Sequence, residues 1–279
     1  MASPALAQAA PGKLKGGVEF SLPAWFKPSL LVLREDVEEA HAKGRHVMLF
    51  LHLDECPYCE RMLRESFARG ETHDFMRRHF DVSMALRLAG YRDPGALRDA
   101  LEFIQGRHYR TQAFAVWLET RDKPAVYALR DHPQFAKATD FRGYRKPLAI
   151  LFEDRQCAGC ARFHDKTLNH PDVLAEMRKF RFVRLDAGSR ERIVAPDGTP
   201  TTPAQWAKAL EFTTRPALVL YDEGREIFRF DGHLYHFHFK EALRYVSGGH
   251  HKRFPSISQY NAARRAELTR QGVDIDYAE

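Results

Sequence analysis

Two pairs of cysteines, each with two residues between its members, are the residues of this sequence best suited to chemistry. Cys56 and Cys59 lie in HLDECPYCERM, and Cys157 and Cys160 lie in EDRQCAGCARF. These four are all the cysteines that the sequence contains. Pairs at this spacing act as metal clamps, as structural cross-links or as reversible dithiol/disulfide centres. The function therefore depends on which of these three uses the surrounding sequence favours.

Each pair follows a short apolar run and precedes a stretch with helical spacing, which predicts a strand, the cysteines and then a helix. At such a junction the first sulfur lies near the free N–H groups of the helix, whose partial positive charge stabilises a thiolate. The pKa of the first thiol can then fall to about 3.5–7.5 from about 8.5. We therefore assign nucleophilic attack to Cys56 and Cys157, and resolution of the mixed disulfide to Cys59 and Cys160.

The two other uses of the cysteines fit the sequence less well. A four-cysteine zinc module separates its pairs by about 12–20 residues, whereas Cys59 and Cys157 are 98 positions apart. A secreted disulfide scaffold would scatter its cysteines along the chain. The alternative that stays open is a metal-binding or scaffold protein, whose cysteine pairs hold zinc, copper or a sulfur-bearing group.

Other polar side chains near the cysteines are candidates for tuning them. His52 and His164 lie close to the pairs in sequence and can shift the pKa of a thiol. Glu153 and Asp154 precede the second pair and can accept a proton from the resolving thiol. The segment HLYHFHF is either a copper or zinc site or a strand-to-helix junction. Its histidines are His233, His236 and His238.

The sequence also repeats itself at a constant shift of 101 residues, which relates the second cysteine pair to the first. Without a gap, this shift lays VMLFL (47–51) on LAILF (148–152) and VWLE (116–119) on ALVL (217–220). A chance match would not keep one register over so many elements. We therefore expect two copies of one domain.

The repeat predicts a first domain at 21–140 and a second domain at 141–279 with a C-terminal helical extension. We expect residues 1–20 before them to be a flexible N-terminus, the remnant of a signal peptide. In each domain a buried strand, the cysteine pair, two helical stretches, a strand and a further helix precede a hairpin. The predicted hairpins are AVWLETRDKPAVYAL (115–129) and ALVLYDEGREIFRF (217–230). We therefore expect an α/β fold of two tandem domains, each with a mixed central sheet flanked by helices.

The composition is that of a globular protein with a modest positive charge. The 279 residues include 43 Lys and Arg against 37 Asp and Glu, which gives a net charge of +6. These basic residues are dispersed rather than gathered on one face with base-stacking aromatics, so nucleic acid is not an expected partner. No apolar run reaches the roughly 18–20 residues that span a bilayer, so membrane insertion is not expected either.

The N-terminal segment MASPALAQAAPGKLKGG contains Ala-x-Ala spacings of the kind found at the end of a secretory signal. It lacks the basic and apolar regions that a complete signal has. We therefore expect an exported protein whose signal sequence has been removed here.

The order of elements and the position of the CxxC pairs resemble the thioredoxin fold in tandem, over about residues 25–270. The segment WFKPSLLVLREDVEEAHAKGRHVMLFLHLDECPYCERM is similar to the start of bacterial SoxW-type periplasmic thioredoxin-like proteins, and SISQYNAARRAELTRQGVDID is similar to their tails. The resemblance implies disulfide exchange with redox partner proteins or small thiols in the periplasm. We expect no cofactor and no bound metal ion. The sequence carries no indication of an oligomeric state.

The thioredoxin resemblance also implies a substrate-binding surface around each cysteine pair. A cis-proline loop faces the cysteines in that fold, and in the second domain Arg215 and Pro216 of FTTRPALVLYDEG hold this place. The surface also includes the residues between the cysteines of each pair. These residues are Pro57, Tyr58, Ala158 and Gly159.

The first domain departs from the thioredoxin pattern, because the shift of 101 residues places Ala115 where the second domain has Pro216. No proline occurs from 95 to 123, and a cis peptide without proline would cost about 2.5–4 kcal/mol. Two hypotheses follow: the first domain relays electrons to or from the second, or its main task is support. On either hypothesis we expect a protein-disulfide oxidoreductase.

Overall fold

A computed structural model describes residues 11–26, 33–50, 56–81, 93–118, 120–121, 124–144 and 146–277 of the chain. In these ranges the helices are α1 Leu33–Ala42, α2 Pro57–Met62, α3 Gly70–His79, α4 Pro94–Gln105, α5 Phe114–Leu118, α6 Cys160–Arg162, α7 Pro171–Met177, α8 Pro203–Ala209, α9 His236–Ser247 and α10 Ile257–Arg270. The strands are β1 Leu14–Lys15, β2 Leu148–Glu153, β3 Arg181–Asp186, β4 Ile193–Val194, β5 Pro200–Thr201, β6 Ala217–Asp222, β7 Arg225–Asp231 and β8 Ile275–Asp276. The π-helical turns Leu63–Phe67 and Phe163–Leu168 continue α2 and α6.

Four strands of the second copy form a central sheet in the order β3–β2–β6–β7. β2 is parallel to β3 and antiparallel to β6, while β7 is antiparallel to β6. The predicted mixed sheet of the second copy is therefore confirmed, and β6 and β7 are its predicted hairpin. Glu223 and Gly224 both have positive φ between these strands, which is the backbone of a two-residue hairpin turn.

Helices cover both faces of this sheet because its central strand, β2, is buried throughout. Side chains alternate between the two faces of a strand. On one face Ile150 packs in a cluster with Trp206 from α8. On the other face Leu151 packs in a cluster with Leu243 from α9. The second cysteine pair follows the end of β2, so this packing fixes where the chain leaves the sheet.

The described part of the first copy is built mainly from helices around one apolar core. Its buried members include Phe67, Met76, Leu97, Phe103 and Trp117. A single parallel bridge joins His46 to Phe80, at the place expected for two neighbouring parallel strands. The predicted strand at 47–51 forms no ladder over residues 47–50, and residue 51 lies outside the described ranges.

The hairpin predicted at 115–129 is wrong in its first strand, because Phe114–Leu118 forms helix α5. On a helix Phe114 and Trp117 share one side, and their ring centroids lie 5.1 and 5.6 Å from that of Phe103 in α4. Burial of these aromatic rings against α4 decides the local structure, since the β-propensity of such a segment depends on its surroundings. Residues 124–130 form no strand and run along the second copy instead.

The segment between the copies packs on the second sheet. The N–H of Ala136 donates to the carbonyl of Phe182 at 2.7 Å, and that of Phe141 donates to Val194 at 2.9 Å. The division between residues 140 and 141 stays a prediction. At the far ends of the described chain, β1 pairs in parallel with β8, beside an ion pair of 2.6 Å between Lys15 and Asp274. Within the described ranges, no helix has the length and apolar composition that crossing a membrane requires.

Candidate functional site

The second cysteine pair forms a disulfide directly after the sheet, with its Cα atoms 5.5 Å apart. The predicted order of strand, cysteines and helix is present, although α6 begins at Cys160 rather than at Cys157. Cys160 has no exposed surface and Cys157 is only 4% exposed. Ala158 is exposed and Gly159 half-buried in the turn between them. Neither sulfur therefore presents much surface to an incoming thiol.

The cis-proline loop predicted in the second copy is present, because the Arg215–Pro216 peptide is cis. Asp231 at the end of β7 anchors this loop. Its Oδ2 accepts hydrogen bonds from the N–H groups of Thr213 and Thr214, at 2.8 and 3.1 Å, and from the Thr213 hydroxyl at 2.7 Å. One carboxylate oxygen therefore orients both residues that precede Arg215.

Arg215 connects the cis-proline loop to the cysteine turn. Its Nε lies 3.3 Å from Oδ2 of Asp154, which precedes the cysteines by three residues. Burial lowers the pKa of Arg215, while Asp154 and Asp231 raise it. A buried guanidinium is costly unless carboxylates lie nearby. The structure thus brings together the predicted residues Arg215, Pro216 and Asp154 at one end of the sheet.

A buried carboxylate and a buried imidazole lie behind the second cysteine turn. Glu153, the last residue of β2, is fully buried, and its Oε1 lies 2.8 Å from Nε2 of His164. His164 is itself only 3% exposed. The sequence presents these two residues as separate candidates, and the fold makes them a hydrogen-bonded pair. Their influence on the thiols stays a prediction.

One residue of this site escapes the sequence analysis, namely Tyr127. Its ring packs in one cluster with Cys157 and Cys160, and its hydroxyl lies 3.4 Å from Oε2 of Glu153. Burial first, and then the charge of Glu153, raises the pKa of Tyr127 to about 12. Tyr127 lies in the segment predicted as the second strand of the first hairpin, so no local pattern signals its place beside the second cysteine pair.

The first cysteine pair also forms a disulfide, with its Cα atoms 5.2 Å apart. Cys56 is the N-cap of α2, and its Sγ accepts the N–H of Cys59 at 3.2 Å. Pro57 is buried at the first helical position, where its fixed φ suits a helix start. An N–H directed at Sγ favours a thiolate when the pair is reduced. Both cysteines are half-buried, which makes this pair more accessible than the second.

Tyr58 joins the first cysteine turn to the second copy. Its hydroxyl accepts the N–H of Tyr235 at 3.1 Å and lies 3.1 Å from Nδ1 of His238 in α9. The ring centroids of Tyr58 and Tyr235 are 4.6 Å apart. Burial raises the pKa of Tyr58 and lowers that of His238 to about 4. Tyr58 thus lies at the contact between the copies, and the predicted role in substrate binding stays a prediction.

The three histidines of HLYHFHF lie in three different environments. His233 is buried, and its Nε2 has no hydrogen-bond partner among the described residues. Burial, followed by the charges of two arginines, lowers its pKa to about 3. His236 stacks on His170 at 3.9 Å between ring centroids, and His238 contacts Tyr58. In the described ranges no three His, Cys, Asp or Glu side chains are arranged to hold a metal ion. His52 lies outside those ranges.

The first copy does not repeat the cis-proline loop at the position that the shift predicts. Ala115 lies inside α5, half-buried, rather than in a loop before a hairpin. In the part of the chain that the structure describes, Arg215–Pro216 is the only cis peptide. The two cysteine pairs therefore have different surroundings despite their identical spacing.

Comparison with known families identifies both copies. A family model described as a thioredoxin-like domain matches residues 33–126 and 135–247. These ranges include both cysteine pairs and the cis-proline loop, and together they make up well over half of the chain. No curated protein is similar enough to count as a match.

Several solved structures resemble parts of the chain. A thioredoxin-fold protein from Helicobacter pylori is 16% identical, with coverage of 48% of this chain and 91% of that chain and a TM-score of 0.43. The reduced C-terminal domain of DsbD from Neisseria meningitidis is 20% identical, with coverage of 36% and 79% and a TM-score of 0.28. A disulphide isomerase from Xylella fastidiosa Temecula1 is 19% identical, with coverage of 45% and 79% and a TM-score of 0.24.

Proposed function

Because the chain belongs to the thioredoxin-like domain family and consists of two tandem domains of that kind, we propose that it is a thiol–disulfide oxidoreductase with two CxxC centres. The observation that carries this proposal is the second centre. There a disulfide follows a buried strand, and the cis-proline loop is connected to the cysteine turn through Arg215 and Asp154. A structural cross-link alone would not need that loop.

The exchange proceeds by transfer of one disulfide between two molecules. A partner thiolate attacks Sγ of Cys157 and forms a mixed disulfide, the Cys157–Cys160 bond breaks, and Cys160 leaves as a thiolate. A second partner thiolate then attacks the partner's sulfur of the mixed disulfide, which releases Cys157 and leaves the partner oxidised. The reverse sequence oxidises the protein. In that direction Glu153 is the candidate that takes the proton of the Cys160 thiol.

The two centres are proposed to exchange electrons with each other. Tyr58, between the cysteines of the first pair, contacts Tyr235, and the guanidinium of Arg162 lies 5.9 Å from the ring centroid of the same Tyr235. Arg162 follows the second pair, at the position that Arg61 occupies after the first. Both arginines also lower the pKa of His233. Tyr58 of the first cysteine turn and Arg162, which follows the second, therefore both lie against Tyr235, which supports a relay between the pairs.

The proposal also includes the partners of the protein and the compartment in which it acts. The resemblance of both chain ends to SoxW-type proteins supports redox partner proteins or small thiols in the periplasm. The Ala-x-Ala spacings near the N-terminus support export.

A redox titration tests the proposed function. The wild-type protein and the double variants Cys56→Ser/Cys59→Ser and Cys157→Ser/Cys160→Ser are equilibrated in graded glutathione buffers, alkylated and weighed intact. We expect two steps of two electrons each in the wild type and the loss of one step in each variant. Reduction potentials of this framework span about 150 mV, and the different surroundings of the two pairs lead us to expect two separate potentials within that span. The step at the more negative potential identifies the donor in a relay.

Two results of the titration would contradict the proposal. A pair that never changes its number of free thiols is not a redox centre, and the relay then fails. A stoichiometric zinc or copper mass on reduced protein, released by a chelator, would favour the metal-binding alternative.

A further inference from the structure

A segment from outside the second cysteine turn covers the Cys157–Cys160 disulfide. We call residues 124–130 the strap. Tyr127, only 8% exposed, packs in one cluster with both cysteines, and Leu129 packs against the same cluster. The neighbouring side chain of Val126 is 59% exposed. The strap is therefore a surface segment that inserts one aromatic ring over the disulfide.

Backbone and side-chain contacts hold the strap at several points. The N–H groups of Val126 and Tyr127 both donate to the carbonyl of Arg155, at 2.7 and 3.0 Å. Arg155 lies two residues before Cys157 in the cysteine turn. At the other end, the Arg130 guanidinium donates to Oδ1 of Asp165 at 2.7 Å. The hydroxyl of Tyr127 adds the longer contact with Glu153.

The strap has a consequence for disulfide exchange, because an attacking thiolate needs access to a sulfur of the disulfide. With Tyr127 in place, Cys157 is 4% exposed and Cys160 is not exposed at all. The first centre differs in this respect, since Cys56 and Cys59 are half-buried. The second disulfide is therefore closed to thiols as long as the strap is in place.

The contacts of the strap define the groups that any segment replacing it would have to supply. Two successive backbone N–H groups meet the Arg155 carbonyl, an aromatic ring meets the disulfide, and a basic side chain three residues further on meets Asp165. An extended partner segment with an aromatic residue and a basic residue at the same spacing would satisfy each of these contacts.

We propose that the strap is an internal substitute for a substrate, and that a redox partner reaches Cys157 by displacing the strap with such an extended segment. The proposal rests on the proposed thiol–disulfide exchange. Once the strap has moved, the partner thiolate bonds to Sγ of Cys157, and the bond to Cys160 breaks. Cys160 takes the electron pair and leaves as a thiolate.

The rate at which dithiothreitol reduces each disulfide tests whether the strap protects the Cys157–Cys160 pair. Oxidised full-length protein is mixed with excess dithiothreitol, quenched with acid, alkylated and mapped by peptide mass. In Tyr127→Ala we expect the Cys157–Cys160 pair to be reduced at least about tenfold faster than in the wild type, since loss of a buried ring destabilises the closed position. Tyr127→Phe keeps the ring, so its rate should stay within about twofold of the wild type. The first pair serves as the reference in every sample.

A second pair of variants loosens the strap without changing a buried side chain, so that damage to the core cannot explain a faster reduction. Arg130→Ala and Asp165→Ala each remove one partner of an exposed ion pair. Each should speed reduction of the second pair by about two- to fivefold, the range expected from an exposed ion pair. The double variant should show no further increase. Equal rates in the wild type, Tyr127→Ala and Arg130→Ala would overturn the proposal.

Two cysteine-containing peptides test which side chains the partner segment needs in order to displace the strap. Cys-Val-Tyr-Ala-Leu-Arg carries the aromatic and basic side chains at the spacing of the strap, and Cys-Val-Ser-Ala-Leu-Ser lacks both. We expect the peptide with tyrosine and arginine to reduce the Cys157–Cys160 disulfide faster than the other peptide. Equal rates would contradict the proposal that the partner segment carries an aromatic and a basic side chain. A failure of the strap proposal can be told apart from a failure of the proposed thiol–disulfide exchange, because the glutathione titration shows whether the Cys157–Cys160 pair exchanges at all.

Discussion

At the scale of single residues, the same spacing of two cysteines produces two different centres. Cys56 caps a helix and is half-buried, whereas Cys157 precedes the helix start by three residues and is almost completely buried. The residue before the second cysteine differs between the two pairs: the Tyr58 hydroxyl accepts a hydrogen bond from Tyr235 of the other copy, whereas Gly159 has no side chain to make such a contact. We therefore expect the two disulfides to differ in both potential and rate.

Glu153 provides a prediction at this scale. Glutamine keeps the shape of the side chain but cannot take a proton, so Glu153→Gln should slow disulfide formation by Cys157 and Cys160 about 100-fold, as for loss of a general base. Single-turnover oxidation, followed by alkylation and mass, measures this rate. The control is Glu226→Gln on β7, whose carboxylate is partly exposed and paired with Arg229.

A purely structural role for Glu153 predicts a different outcome. In that case Glu153→Gln would lower the melting temperature and leave the rate of the folded protein and its dependence on pH unchanged. The measurement therefore includes a pH profile of the oxidation rate for the wild type and both variants.

Local sequence was enough to predict some site residues and not others. Pro216 follows Arg215 just before a hairpin, so a cis-proline loop could be predicted there from neighbouring residues, and the cis peptide is confirmed. The role of Pro216 in substrate binding stays a prediction. Tyr127 lies 30 positions before Cys157 in the chain. It reaches the disulfide only through packing between distant segments, which no spacing in the sequence encodes.

At the scale of elements, β7 positions the cis-proline loop through its last residue. Asp231→Ala would remove the acceptor of the N–H groups of Thr213 and Thr214; because these residues are half-buried, we expect a cost near the lower end of the about 1–3 kcal/mol of a buried donor. We expect a loss of unfolding free energy of this size in urea, together with slower exchange at the second centre. The first centre should keep its rate.

The control for Asp231 is another aspartate that accepts backbone hydrogen bonds. Asp197 accepts the N–H of Thr199 at 2.9 Å in a turn away from the cysteines. Asp197→Ala should leave the exchange rate of the second centre unchanged. An equal loss of rate in both variants would show that the effect is general rather than specific to the cis-proline loop.

Elements defined by local signals were predicted well, and elements defined by burial were not. The turn at Glu223 and Gly224 marks the hairpin of β6 and β7, and the structure confirms it. The segment Phe114–Leu118 reads equally well as a strand, but its aromatic side chains bury against α4 only as a helix. The contact of this segment with α4 arises from tertiary packing, which the local sequence does not reveal.

At the scale of the whole molecule, the segment of the second copy that contacts the first contains two histidines whose burial favours the neutral form. Burial lowers the pKa of His233 to about 3 and that of His238 to about 4. In the unfolded chain both take the ordinary value of about 6.5. Below that pH the unfolded state binds protons that the folded state does not, so the free energy of unfolding falls as pH decreases from about 6.5 to about 4.

Urea unfolding between about pH 7.5 and about pH 5 measures this dependence. Each histidine should contribute up to about 1.4 kcal/mol per pH unit below pH 6.5. His238→Gln should therefore lower the slope of this dependence by the equivalent of about one proton. Equal slopes in the wild type and His238→Gln would contradict the prediction.

The pairing of β1 with β8 determines how the molecule can be attached to a surface. Leu14 lies opposite Ile275, so both ends of the described chain emerge side by side. A label attached at Lys15 or at Asp276 would immobilise the protein through the same region. Binding experiments on a sensor chip should consequently present the same face to a partner, whichever of the two residues carries the label.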